Sequence, residues 1–343
     1  MTETVNEIRV GLLAYGAIGD QHNRAVGATT GLKLTAAADT NPERIMAAKE
    51  LAPDISTFSD SMEMLNSGLI DLVIISTPPN SHYSWAKESL NRGLHVILEK
   101  PMALTVEQCD ELIELSAAKK LLLVVYQNRR FDPDFATMKK LIDGGSIGEI
   151  FSYESFVGGY SKPCSYWHSD VDVSGGAIFD WGSHFIDQIL AIIPGEIDAV
   201  SGINQKRLWN HVTNADHADV SITFADGTRA TFTNSDLAAA RKPKFYVLGT
   251  KGAIVGNWDP AAGSTPADLP AILSLHRADG TTEVISNAAI NPYSFHESVV
   301  AYLQRNIPMS ISTQQSRDVV AIMQAAEESA LSNGRPMKPL LLR

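Results

Sequence analysis

The sequence predicts a doubly wound α/β domain followed by an α+β domain. Three observations point there. Short apolar runs alternate with helical patterns through the first third of the chain, a glycine turn joins the first strand to the first helix, and after about Arg130 the pattern changes to strands joined by turns. With 343 residues, the chain is long enough for about two domains.

The elements follow in order. Residues 8–13 read as a strand, 17–29 as a helix and 32–38 as a second strand. Asn41-Pro42 opens another helix, with proline in its first turn. Residues 72–76 form a buried strand, 81–91 a helix ended by Arg92-Gly93, and 95–99 the next strand. Residues 105–119 are amphipathic, with Val106, Cys109, Leu112, Ile113 and Leu115 near helical spacing, and 121–126 are one more apolar strand. Such alternation argues for a parallel sheet covered on both faces. Beyond it, Gly144-Gly145 closes a helix, 150–156 is a strand, and a helix over 177–193 ends at Pro194-Gly195. Residues 220–224 and 228–233 make a hairpin around Ala225-Asp226-Gly227. Strands over 244–248 and 253–255 follow, then a loop over 259–270 rich in Pro, Ala, Gly and Ser, and helices near 294–304 and 314–332.

Composition narrows the function. Lys and Arg number 28 against 39 Asp and Glu, a formal charge of −11. Clustered positive charge for nucleic acid or anionic membranes is therefore not expected. Apolar residues at 44% and charged residues at 20% describe an ordinary globular core. The longest aliphatic run, 121–125, is far short of the ~20 apolar residues of a membrane span. Residues 1–7 are polar and acidic, unlike a secretory leader. Two cysteines, Cys109 and Cys164, fit a reducing cytoplasm. No HExxH, paired cysteines or acidic calcium loop occurs, so no metal is expected.

The first strand runs into Ala14-Tyr15-Gly16-Ala17-Ile18-Gly19, a dinucleotide fingerprint whose first glycine has become alanine. Gly16 stands where backbone approaches a pyrophosphate, Gly19 where the helix packs closely on the strand, and the helix N-terminus faces the phosphate. Tyr15, Gly16, Ala17 and Ile18 are thus candidate cofactor residues. Ala14 implies a slightly different turn. Asp39 ends the second strand about 20 positions later, placed to accept hydrogen bonds from ribose hydroxyls and to repel a 2′-phosphate. NAD is favoured, and nearby Arg44 leaves NADP open. Thr77-Pro78-Pro79-Asn80 follows a parallel strand at its carboxyl end, where ligands sit. Its prolines can wall the nicotinamide side, with Asn80 capping the next helix.

Four stretches, in order, resemble the motifs of the Gfo/Idh/MocA family of sugar and cyclitol dehydrogenases. They are Ser76-Thr77-Pro78-Pro79-Asn80-Ser81-His82, Glu99-Lys100-Pro101, Tyr126-Gln127-Asn128-Arg129-Arg130-Phe131, and the run from Gly175 through Asp180 and His184 to Asp187. The Asn-Arg-Arg stretch and Gly182-Ser183-His184-Phe185-Ile186-Asp187-Gln188 resemble most the scyllo-inositol dehydrogenase-like subgroup. The resemblance implies a Rossmann domain over 1–127. Residues 128–343 would then form a substrate-binding and oligomerisation domain with a large open, mainly antiparallel sheet, its closing helices packing back on the first domain. It implies a homodimer or homotetramer. It also implies that Lys100, Asp180 and His184 surround the reacting carbon, that His82, Glu99, Lys100, Gln127 and Asn128 join the cofactor residues, and that Arg129 lies near the nicotinamide end and helps bind substrate.

The chemistry suits these residue types. His184 is the candidate base, because an imidazole cycles near neutral pH. Lys100 places positive charge beside the alcohol oxygen as it gains alkoxide character. A cis bond before Pro101 fits the turn that aims it. Asp180 and His184, four residues apart, share a helix face, and Asp180 can hold a substrate hydroxyl or the Lys100 ammonium in place. Tyr160, Lys162, Trp167 and His168 suggest an aromatic wall with polar tips for a sugar or polyol. The expected activity is NAD(P)-dependent hydride transfer with a secondary alcohol of a sugar, inositol or related polyol. The rivals are an NAD-retaining lyase or glycosidase that oxidises transiently, and a non-catalytic dinucleotide-binding regulator.

Overall fold

A computed structural model describes residues 7–262 and 269–342. The chain forms two compact units, one from residues up to Tyr126 together with Asn291–Arg317, the other from Gln127–Ile290 and Asp318 onward.

The first unit holds β1 (Ile8–Leu13), β2 (Leu32–Ala38), β3 (Ser56–Phe58), β4 (Leu72–Ile75), β5 (His95–Leu98) and β6 (Leu123–Val125). They pair in parallel in the order β3-β2-β1-β4-β5-β6. Residues 72–75 and 96–98 are 0% exposed, so these strands read as unbroken apolar runs rather than alternating ones. Caps fix the connecting helices. Asn41 accepts from the Glu43 N–H ahead of Pro42, and Thr105 from the Gln108 N–H. The expected cap at Asn80 moves. Pro79–Ser81 form a 3-10 turn, the cap position falls on Ser81, and Asn80 is left exposed. The strand Ser56–Phe58 and the helix Ser61–Asn66 were not anticipated, since three residues carry no readable period. From late in the chain, Phe295 joins this unit, its ring 4.8 Å from that of Tyr126.

The second unit holds β7 (Ile150–Gly158), β8 (Ile197–Gln205), β9 (His217–Phe224), β10 (Arg229–Ser235), β11 (Phe245–Gly249), β12 (Gly252–Asn257), β13 (Ile272–Arg277) and β14 (Thr282–Ile285). Their order is β14-β13-β12-β11-β7-β10-β9-β8, antiparallel except for the β7–β10 pair. The β9–β10 hairpin turns at Gly227, φ 90°, and the Thr228 N–H donates to Asp226 Oδ1 at 2.9 Å. Strand β9 alternates buried and half-buried residues, because only one of its faces is covered.

The covering element is the helix Ala177–Ile192, buried on nearly every side. Its Phe185 stacks on Phe232 of β10, with ring centroids 5.4 Å apart. Arg130 grips its Asp187 through two bonds of 2.6 Å. The strand expected from Lys244 begins one residue later. Lys244 is 3% exposed and bonded to Asp134, itself 0% exposed, at 2.6 Å. Of the loop expected over 259–270, Pro260–Ala262 is a 3-10 turn, while 263–268 lie outside the described residues. Among the described residues no helix is long and apolar enough to cross a membrane. None of their His, Cys, Asp and Glu side chains form a group of three that could hold a metal ion.

Candidate active site

In the first unit the strand order reverses between β1 and β4, which opens a crevice at their carboxyl ends. The glycine turn leaves β1 there. Ala14 adopts the left-handed conformation, φ 69°, so alanine keeps a backbone shape usually left to glycine, at a cost of about 1 kcal/mol. A Cβ on Gly16 would meet only Arg44 Nη1 at 3.9 Å, whereas one on Gly19 would strike the Tyr15 ring at 2.9 Å. Space at the first glycine and close packing at the second are what a pyrophosphate on a helix N-terminus requires. The helix Gly19–Ala28 carries no side-chain cap at Ile18, consistent with that use.

Asp39 is 7% exposed. Its Oδ2 accepts from the Tyr15 N–H at 2.7 Å and its Oδ1 from the Asn41 N–H at 2.8 Å. Arg44 Nη1 lies 3.6 Å from Oδ2. The carboxylate thus pins the glycine turn, and each oxygen retains a lone pair for a ribose hydroxyl. These residues fit a dinucleotide.

Thr77 and Pro78 follow β4, and Thr77 Oγ1 accepts from Ser81 Oγ at 2.8 Å. His82 is 1% exposed, and both ring nitrogens face backbone carbonyls, Pro101 O at 2.7 Å and Thr77 O at 2.8 Å. This leaves neither nitrogen for a nucleotide. Glu99 and Lys100 follow β5, and the Lys100–Pro101 peptide is cis.

In the second unit a cleft of about 490 Å³ opens at the N-terminal end of the helix Ala177–Ile192. Asp180 and Trp181 line it from the helix, Lys162, Tyr166 and His168 from the preceding loop, and Asn234 and Asp236 from the end of β10. His184 lies one turn beyond Asp180 and is 7% exposed, its ring 5.8 Å from that of Trp181. The Arg129 guanidinium sits over Trp181 at 5.6 Å. Gln127 and Asn128 open this unit's chain, Gln127 being 2% exposed.

The aromatic wall is built differently from expectation. Tyr160 is 60% exposed and packs edge-on to Trp209, and Trp167 stacks on His168 at 3.6 Å. Neither lines the cleft, whose aromatic residues are Tyr166, His168 and Trp181. The flanking loop is held by Asp216, which accepts the N–H groups of Arg207, Leu208 and Trp209 and the Lys206 ammonium. Burial opposes its charge, but these donors bring its pKa down to about 2. Asp236 goes the other way. Burial, with the Asp216 and Asp180 charges nearby, pushes its carboxyl up to about 6. Sequence reasoning missed Asp236; the available signal was a polar Asn234-Ser235-Asp236 run closing a strand.

A dinucleotide crevice in one unit and a polar, acid-lined cleft in the other define an NAD-binding oxidoreductase. The description "Oxidoreductase family, NAD-binding Rossmann fold" matches residues 8–127, and "GFO/IDH/MocA C-terminal domain" matches 135–255. The chain belongs to the Gfo/Idh/MocA family. It is 25% identical to scyllo-inositol 2-dehydrogenase (NADP(+)) IolW of Bacillus subtilis over 95% of this chain and 94% of that one. It is 29% identical to scyllo-inositol 2-dehydrogenase (NAD(+)) of the same species over 73% of each. Among solved structures, the NAD-binding protein from Listeria innocua superposes with a TM-score of 0.85 at 26% identity, covering 97% of both chains.

Proposed function

We propose that this chain is a cytoplasmic dehydrogenase that moves hydride between a ring secondary alcohol of a neutral polyol, an inositol or related sugar, and NAD or NADP. The observation that carries the reading is the Asp180- and Asp236-lined cleft on the helix that bears His184. Carboxylates accept several hydroxyl protons at once, which suits a polyol and disfavours an anion. The relatives named for scyllo-inositol support the same class.

The bound nicotinamide supplies the hydride acceptor. His184 takes the hydroxyl proton as the carbonyl forms. The Lys100 ammonium donates to the oxygen as its negative charge grows, and Asp180 holds a neighbouring hydroxyl. A panel of inositols, aldoses and sugar acids, assayed with each cofactor at 340 nm, tests the reading. Reduction of cofactor by neutral cyclitols or sugars supports it. Activity confined to sugar acids, or none across the panel, refutes it. We propose a homodimer or homotetramer formed through the open sheet, where Tyr246, Ile272 and Val284 lie exposed on one face.

Two results follow from the charges. Asp39→Asn is expected to lower kcat/KM with NAD about tenfold and with NADP less, because a charge-assisted bond of ~1.5–3 kcal/mol to the ribose is weakened and Arg44 gains freedom to meet a 2′-phosphate. The ratio of the two kcat/KM values is the readout, and an unmoved ratio refutes the role.

Asp236 is protonated below about 6 and ionised above it. The ionised form is the stronger acceptor of substrate hydroxyls. KM for the polyol is therefore expected to fall as pH rises through about 6, with that inflection absent in Asp236→Asn.

A further inference from the structure

The turn that carries Lys100 is held by two buried histidines, and neither has a place in the reaction as written. His22, 0% exposed, comes from the helix behind the glycine turn. Its Nε2 lies 2.9 Å from Glu99 Oε1, and the other oxygen, Oε2, accepts the backbone N–H of Lys100 at 3.2 Å. The side chains of His22 and Glu99 are 0% and 13% exposed. On its far side, His22 Nδ1 lies 3.4 Å from Nε2 of His296, itself 0% exposed. Tyr126 closes over the pair, its ring 4.6 Å from that of His22.

The proton positions follow from what each atom can do. A carboxylate only accepts, so His22 Nε2 carries hydrogen. His22 Nδ1 and His296 Nε2 then share one hydrogen between them. His296 Nδ1 is buried with no hydrogen-bond partner among the described residues, so a bare lone pair there costs less than a stranded N–H on a charged ring. Burial, with His22 beside it, pushes His296 down to about 3, in keeping with a neutral ring. Among the described residues the contacts run from His296 through His22 to the Glu99 carboxylate, which they hold in place.

His82 holds the other side. Its nitrogens lie 2.7 Å from Pro101 O and 2.8 Å from Thr77 O. Burial lowers its pKa, so the neutral ring donates to one of these carbonyls and packs against the other, between the strand ends after β5 and β4. A lysine ammonium on a long flexible stem gains aim only if its own backbone is fixed, because such side chains carry about 2 kcal/mol of rotamer entropy.

We propose that His22 and His82 are positioning residues for Lys100, His22 acting through Glu99 on the lysine's own N–H and His82 through the carbonyls that flank the turn. Glu99 thereby serves the protein's own turn. The proposal rests on the reading that Lys100 stabilises the reacting oxygen.

The test compares His22→Leu, which fills the space without a donor, with His22→Gln, which can still donate to Glu99. Thermal melting and a dissociation constant for NAD check that each variant is folded and binds cofactor. His22→Leu is expected to lower kcat by about 10- to 100-fold, the scale of an ångström's misplacement, with the NAD dissociation constant within about threefold. His22→Gln is expected to recover most of the loss. In a Lys100→Ala background, His22→Leu should cost little more, since no ammonium remains to be aimed. An equal loss in both backgrounds overturns the proposal.

A second readout needs no turnover. With lysines reductively methylated with ¹³C-formaldehyde, the Lys100 resonance, assigned by its absence in Lys100→Arg, should move towards that of a free lysine in His22→Leu and in His82→Leu. A resonance unmoved in both overturns the positioning role whatever the kinetics show. Normal turnover in Lys100→Ala overturns the catalytic reading instead, so the two failures are told apart.

Discussion

Lys100→Ala and His184→Ala are each expected to lower kcat by at least ~100-fold, the scale for losing a proton acceptor or a charge at the reacting oxygen. NAD binding should stay within about threefold, because neither side chain is needed to hold the adenosine or the pyrophosphate. The two variants should differ in their response to pH. Without His184 the alcohol proton must leave to solvent base, so the residual rate should climb with pH. Without Lys100 no such recovery is expected, since hydroxide does not replace a cation. Steady-state kinetics with the best polyol of the panel, paired with a fluorescence titration of NADH, separates these outcomes. Near-normal turnover in both variants would sink the assignment of the two roles.

The second large effect concerns stability. Arg130→Ala should strand the Asp187 carboxylate, which is 1% exposed and bonded to the guanidinium through both oxygens at 2.6 Å. Removing one partner of a buried pair typically costs about 3–5 kcal/mol, because a charge remains in the core without compensation. A fall of about 10 °C in the unfolding midpoint follows for a unit of this size. The double variant Arg130→Met with Asp187→Leu should recover much of that loss, since it removes both charges together. Calorimetry on the three proteins decides. A midpoint unchanged in Arg130→Ala would show that Asp187 finds other donors or takes up a proton at little expense. Because Asp187 shares its helix with Asp180 and His184, the single variant should also lose activity before it loses its fold.

Much of the first unit was legible because its signals are local. Continuous apolar runs mark β4 and β5, and a proline after asparagine marks a helix start at Pro42. Asp39 could be found by counting, since the fold sets its distance from the glycine turn. The second unit was harder to read. Strands β8, β13 and β14 mix apolar and polar side chains without a clean period and lie at or next to the edges of the sheet, so little in their sequence marks them. The cleft shows the same division. Asp180 and His184 stand on one helix and were visible as a pair, whereas Asp236 joins Asp180 only because β10 runs beneath that helix. Of the rings expected in the wall, His168 lines the cleft while Tyr160 and Trp167 do not, the loop's path bringing Tyr166 there in their place, and no spacing rule announces such a path.

The segment Asn291–Arg317 belongs with the unit that begins at the other end of the polypeptide. Synthesis on a ribosome is vectorial, so the nucleotide-binding unit stays incomplete until Arg317 has been added. A fragment released at Tyr126 would leave that ring, and the face against which Phe295 should lie, open to water.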